Sequence, residues 1–150
     1  MKWVTRARPK VDRVACPWLV QHFIDPEAEF IFVPPDQVLA VAEREQAISF
    51  DAPGARFDHR DGRCTFEVLL AHYGLDDAAL GALARIVHGA DVTGEEDYTP
   101  ESRGLKAVAE GFQIAYADDH EILAREFAVY DALYAWCRAQ VPASAPTPGH

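Results

Sequence analysis

Cysteine is scarce in this chain, and Cys16, Cys64 and Cys137 are widely separated with no CxxC pair among them. Such an odd, scattered set argues against a disulfide framework and a thiolate zinc knot, leaving a small buried hydrophobe as the default reading of each. Long apolar runs are missing as well. Nothing approaches the roughly 20 residues of a membrane span, and the opening MKWVTRARPK has no apolar stretch of the secretory kind. The expected location is therefore the cytoplasm, with no membrane partner. Positive charge is in short supply, 14 Lys and Arg against 24 Asp and Glu, for a formal net charge of −10. That balance opposes general binding to nucleic acid, so any basic groove must be local. Internal repeats are absent, and so is any ligand motif as specific as HExxH.

What is present suits one soluble domain with a single substantial core: 150 residues, 49% of them AVILMFWYC and 25% charged. In KWVTRAR the alternation sets Val4, Arg6 and Arg8 on one face of a strand and Trp3, Thr5 and Ala7 on the other. FIFVPP, residues 30 to 35, is a second strand stopped by prolines. Between them VACPWLVQHFID reads as a helix with Asp12 or Cys16 as its N-cap, since Pro17 is comfortable only in a first turn. A short helix follows over about Asp36 to Gln46, and ISFDAPGARFDH resembles two short strands around a Pro-Gly turn.

From Thr65 onward the pattern is helical. Cys64 or Thr65 caps a helix that buries Phe66, Leu69, Leu70 and Tyr73 and ends at Gly74. The next begins at Asp76, buries Leu80, Leu83, Ala84 and Val87, and stops at His88 with Gly89 as a left-handed C′ residue. After the acidic loop TGEEDY, Thr99-Pro100-Glu101 opens a helix to about Tyr116. The last begins near Asp118, with Leu123, Phe127, Tyr130, Tyr134 and Cys137 on its apolar face. The fold class expected is α+β: a helix-rich single domain over 1–140, with a small sheet from short N-terminal and central strands. The Pro-rich stretch 141–150 lacks any core-forming pattern and is expected to be a disordered tail.

The stretch from Asp51 to Asp91 concentrates the groups that bind metals or move protons at turns and helix ends, where a scaffold can aim them together. Singly, each has a plain structural reason to be there. Glu67 in a first turn and His88 in a last turn both suit the helix dipole, and Asp91 can cap a loop. Their placement is what points further. His88 follows Leu80 and Ala84 at helical spacing, and His120 precedes Leu123 and Phe127 by three and seven, so both rings start from an apolar face, where they are costly without a partner. His59, Glu67, His88, Asp91 and His120 are therefore the candidate metal ligands, with Cys64 as a further thiolate. Imidazole with carboxylate suits a divalent or trivalent first-row ion, Fe, Mn, Zn or Ni, over copper(I). Arg6, Arg8 and Arg13 cluster in an otherwise acidic chain and are the candidate anion-binding set, for an oxyanion such as phosphate, sulfate or chromate. Pairing with acids such as Asp12 or Asp58 is the competing use of these arginines.

The opening KWVTRARPKVDRVACPWLVQHFIDPEAEFIFVP, the central FDHRDGRCTFEVLLAHYGL with the following IVHGADV, and the late YDALYAWCR together resemble the C-terminal domain of the chromate resistance protein ChrB family, over nearly all of residues 2 to 139. The resemblance implies chromate-related biology. Full-length members are regarded as chromate-responsive regulators with an additional N-terminal region, and related domains occur beside rhodanese-like sulfurtransferase modules. This chain starts directly at the domain, so no direct nucleic-acid binding is expected of it. The expected partners are an oxyanion such as chromate or sulfate and a protein partner or sulfurtransferase module. The resulting expectation is an oxyanion-resistance domain with a His/carboxylate metal site, acting as a sensor or metal-dependent accessory protein. Two alternatives stand beside it: a metal-dependent enzyme (hydrolase, reductase or sulfurtransferase-associated), or a structural partner domain without a metal.

Overall fold

The structure, a computed structural model, describes residues 1–141. All but the first residue of the expected tail therefore lies outside the described residues. Strand β1 (Lys2–Arg6) occupies the middle of a three-stranded parallel sheet, between β2 (Glu29–Val33) and β3 (Ile48–Ser49). Its alternation is the one expected. Val4 packs with Val38 and Val41 of helix α2 (Val38–Glu45) on one face, while Trp3 joins the main core with Phe50 and Phe57 on the other. A parallel sheet covered on both faces is the usual solution to burying such short strands. Six α-helices occur among the described residues: α1 (Val11–Leu19), α2, α3 (Thr65–His72), α4 (Ala78–Asp91), α5 (Ser102–Ala115) and α6 (Asp119–Gln140). This is the helix-rich α+β architecture that the sequence indicates.

Three local expectations are corrected. Helix α1 starts at Val11 with Lys10 as N-cap, so Asp12 sits in its first turn, Cys16 is no cap, and Pro17 lies in its interior. Beyond Pro17 the helix widens into one π turn over Val20–Ile24, closed by Asp25 N–H donating to the Val20 carbonyl at 2.7 Å. The segment after β3 is not a second strand pair: Asp51 turns into the left-handed region (φ 50°), and the chain loops out until Phe57 bridges back to Phe50. Helix α4 runs through Gly89 to Asp91. Gly89 is needed for close approach and not as a C′ residue, because a Cβ there would lie 2.7 Å from Ser102 Cβ and 2.9 Å from Tyr98 Cβ.

The buried face of α6 holds Leu123, Tyr130 and Cys137, with Phe127 and Tyr134 half-buried. It also holds Glu126, which is fully buried and whose two oxygens accept no hydrogen bond among the described residues. Tyr130, one turn on, donates its O–H to the Val11 carbonyl at 3.2 Å. Burial pushes the Glu126 carboxyl from 4.5 up to about 7, against a weaker opposing pull from Tyr130. Between those values the folded state holds the proton more tightly than the unfolded chain. Stability from this group is thus full below about pH 4.5 and falls as pH rises through about 7, by on the order of 3 kcal/mol. Urea unfolding of the parent and Glu126→Gln at about pH 5 and about pH 8 checks this: the parent loses stability relative to the variant at the higher pH. A difference that does not change with pH would show that Glu126 has a partner or water.

Candidate metal centre

Helix α1 connects β1 to β2 on one side, and the chain then returns to place β3 on the other side of β1. The carboxyl ends of β1 and β3 thus flank a point where strand order reverses, the place where parallel sheets present a ligand crevice. Arg6 ends β1 and Asp51 follows β3 by two residues. Arg6 Nε donates to the Asp51 carbonyl at 2.8 Å, and its Nη2 lies 3.4 Å from Asp51 Oδ2. A left-handed conformation is uncommon for a residue with a side chain, and such strain collects at functional sites. Here it turns the Asp51 carboxylate toward the first turn of α3, where Thr65 Oγ1 donates to Oδ1 at 2.8 Å.

Two more carboxylates reach the same place. Asp12, buried in the first turn of α1, accepts the Thr65 N–H at 2.8 Å and the Phe66 N–H at 3.3 Å, so it caps α3 instead of its own helix. Asp91, the last residue of α4, accepts the Asp12 N–H at 3.3 Å. His59, on the loop before α3, closes the group. Its Nε2 is 2.9 Å from Asp91 Oδ2, 3.4 Å from Asp12 Oδ2 and 3.4 Å from Asp51 Oδ1. One ligand atom from each of the four side chains lies within 4.8 Å of the others, close enough for side-chain adjustment to bring all four onto a single ion.

The electrostatics explain how these charges coexist. Hydrogen bonds to Asp12, Asp51 and Asp91 push the imidazole of His59 up to about 12, so it stands in as a cation at the centre. Burial, reinforced by Asp91, drives the Asp12 carboxyl upward, with His59 opposing. Burial also raises Asp51, but His59, Thr65, Arg13 and Arg6 outweigh it and the net direction is down. Arg13 Nε is 3.8 Å from Asp51 Oδ2, and burial together with Arg6 lowers its affinity for its proton. Asp91 stands at a helix C-terminus, where the dipole disfavours an acid.

A second group lies on the other side of the α3 N-terminus. Glu67 accepts the Cys64 N–H at 2.9 Å, and its Oε1 is 2.6 Å from His88 Nδ1. His88 Nε2 meets Glu95 Oε2. Burial opposes protonation of His88, but the two carboxylates outweigh it and its pKa rises. Cys64, Glu67 and His88 each offer a ligand atom within 4.8 Å of the others.

The residues marked in the sequence are thus divided. His59 and Asp91 meet in the first group, and Glu67 and His88 in the second. His120 joins neither: it is solvent-exposed, edge-on to Phe32 with ring centroids 5.3 Å apart. Burial on α6 begins at Ile122 and Leu123, so sharing a face with Leu123 does not bury the ring. Of the arginines, Arg6 and Arg13 converge on Asp51. Arg8 turns away, donating to the carbonyls of Gln113, Tyr116 and Ala117 at 2.6, 3.1 and 2.7 Å and closing the end of α5. Sequence reading missed Asp12, Asp51 and Glu95 as members. The only signal for Asp51 was its position directly after an apolar strand and before Pro53-Gly54; Asp12 looked like a cap and Glu95 like part of a solvated loop.

The structure is thus a helix-rich α+β domain with His and carboxylate groups gathered at the switch point of a small parallel sheet. Comparison with known proteins shows the family: the chain belongs to the ChrB, C-terminal domain family, which matches residues 3–137. It is 40% identical over 136 residues to Protein ChrB of Cupriavidus metallidurans, covering 89% of this chain and 40% of that protein. The chain therefore spans about two-fifths of the length of that relative. No solved structure matches.

Asp12 and Asp91 differ in how many N–H groups each one holds. Asp12→Ala leaves two N–H groups of α3 without their acceptor and should cost about 1–2 kcal/mol in metal-free protein, measured by urea unfolding. Asp91→Ala removes an acid that repels Asp12 and opposes a helix dipole, which offsets the loss of the acceptor of the Asp12 N–H and of the nearest carboxylate to His59, so its metal-free cost should be smaller than that of Asp12→Ala. Equal losses in both variants would mark the group as a structural ion network.

Proposed function

We propose that this domain binds a first-row cation through Asp12, Asp51, Asp91 and His59 and uses the loaded site, with Arg6 and Arg13 behind it, to take up an oxyanion. The observation that carries this is the convergence of three carboxylates from separate segments on one imidazole nitrogen, beside two arginines. A donor set rich in carboxylate oxygen favours manganese or iron over zinc or nickel. Exchange of the imidazole proton for a divalent ion leaves three carboxylates balanced by two guanidinium groups and two metal charges, a net positive site that attracts an anionic oxygen. The half-exposed His59 ring supports access to the group from solvent.

Family membership supports a role connected with chromate resistance, and chromate is accordingly the oxyanion proposed. In that reading the domain is a cytoplasmic sensor or accessory module, and the ligand state of its crevice is what a partner or the remainder of a longer protein would respond to. No helix among the described residues is long and apolar enough to cross a membrane.

Calorimetric titration with sulfate, the redox-inert mimic, and with chromate tests the proposal. Manganese-loaded protein should bind either anion at least about tenfold more tightly than metal-stripped protein, a difference of about 1.4 kcal/mol. Asp51→Asn should abolish that gain and Arg13→Gln should reduce it. Anion binding that ignores the metal would assign the anion to the arginines alone. Failure of the parent to retain manganese would remove the proposal.

A further inference from the structure

We infer that Cys64, Glu67 and His88 form a second cation site, separate from the aspartate group and selective for a thiolate-accepting ion of the zinc class. Three observations converge on it. The first is spacing: around a tetrahedral ion, sulfur at about 2.3 Å and nitrogen or oxygen at about 2.0–2.1 Å lie roughly 3.3–3.7 Å from each other. Ligand atoms already within 4.8 Å reach that arrangement by small side-chain rotations. The second is orientation. His88 has Nε2 on the Glu95 carboxylate and Nδ1 toward Glu67, so Glu95 holds the ring with Nδ1 as the coordinating nitrogen. A carboxylate on the far nitrogen of a metal-bound histidine fixes its tautomer and raises its basicity.

The third is the donor set and its burial. Cys64 is fully buried, His88 is 5% exposed, and ring-on-ring contact with Tyr98 covers the imidazole at 4.4 Å between centroids. A water-poor pocket with one sulfur, one nitrogen and one oxygen donor suits zinc, whereas the all-oxygen-and-nitrogen aspartate group suits a harder ion. Three protein ligands leave a fourth position for water or an incoming ligand, and the Glu95 side chain against His88 is half-exposed. Loading exchanges the Cys64 thiol proton and any proton on His88 Nδ1 for the cation, with no change of oxidation state.

Cobalt(II), the spectroscopic stand-in for zinc, tests this on the reduced 150-residue chain. The parent should develop thiolate-to-cobalt charge-transfer absorption that zinc abolishes by displacement. Cys64→Ser should lose that absorption, while Cys16→Ser, Cys137→Ser and His59→Ala should keep it. Because the aspartate group contains no sulfur, its failure or success leaves the band untouched, which separates this site from the one proposed above. Glu95→Gln, at a half-exposed position that does not endanger folding, should weaken cobalt binding about 10–100-fold with the band retained. Absence of the band in the parent, its survival in Cys64→Ser, or unchanged affinity in Glu95→Gln would overturn the assignment.

Discussion

Three carboxylates held against one imidazole nitrogen form the constraint on which the arrangement of this domain depends. Like charges so close are unfavourable unless cations and N–H donors surround them, and the fold supplies these from every side. Arg6 comes from the end of β1 and Arg13 from the first turn of α1. Two backbone N–H groups come from α3 and one from α1. The Asp51 backbone adopts its left-handed turn at the same spot. Sheet, helix starts and helix ends therefore meet at one place, and its charge balance depends on what occupies the centre.

The N-terminus of α3 joins this place to its neighbour. The Cys64 N–H goes to Glu67 and the Thr65 N–H to Asp12, so adjacent peptide groups tie one helix end to both side-chain groups. On the α4 side, His88 and Asp91 lie three residues apart near the end of one helix, one serving each group. Gly89 between them lets α5 approach closely through Ser102, whose Oγ donates to the Ile86 carbonyl at 3.0 Å. Rearrangement in either group thus acts on shared elements, the structural requirement for two sites to influence each other.

Legibility in the sequence follows the range of the forces involved. The alternation of Trp3 and Val4 and the apolar stripes of α4 and α6 are local signals, and the sheet and helices they indicate are present. Asp12 shows where local reading stops: an aspartate at the start of a helix looks like that helix's cap, and only the tertiary packing of α1 on α3 shows whose N–H groups it satisfies. Gly89 reads as a terminator because a glycine after a histidine fits a C′ position, whereas its reason is Ser102 on another helix. Glu126 escapes because an apolar stripe tolerates one polar member, and its burial depends on helices that pack from elsewhere. The candidate ligands were legible as residue types but not as groups: His59, Asp91, Glu67 and His88 were marked together, and the fold sorts them into two pairs.

The most direct test of the central claim is anomalous diffraction from crystals of the protein loaded with manganese. The account predicts a single strong anomalous peak with oxygens of Asp12, Asp51 and Asp91 and Nε2 of His59 about 2.0–2.3 Å away, and the imidazole no longer hydrogen-bonded to the carboxylates. Crystals grown with excess manganese that show no peak there, with His59 still bridging the three carboxylates, would contradict it and leave the group as an ion network that serves the fold alone.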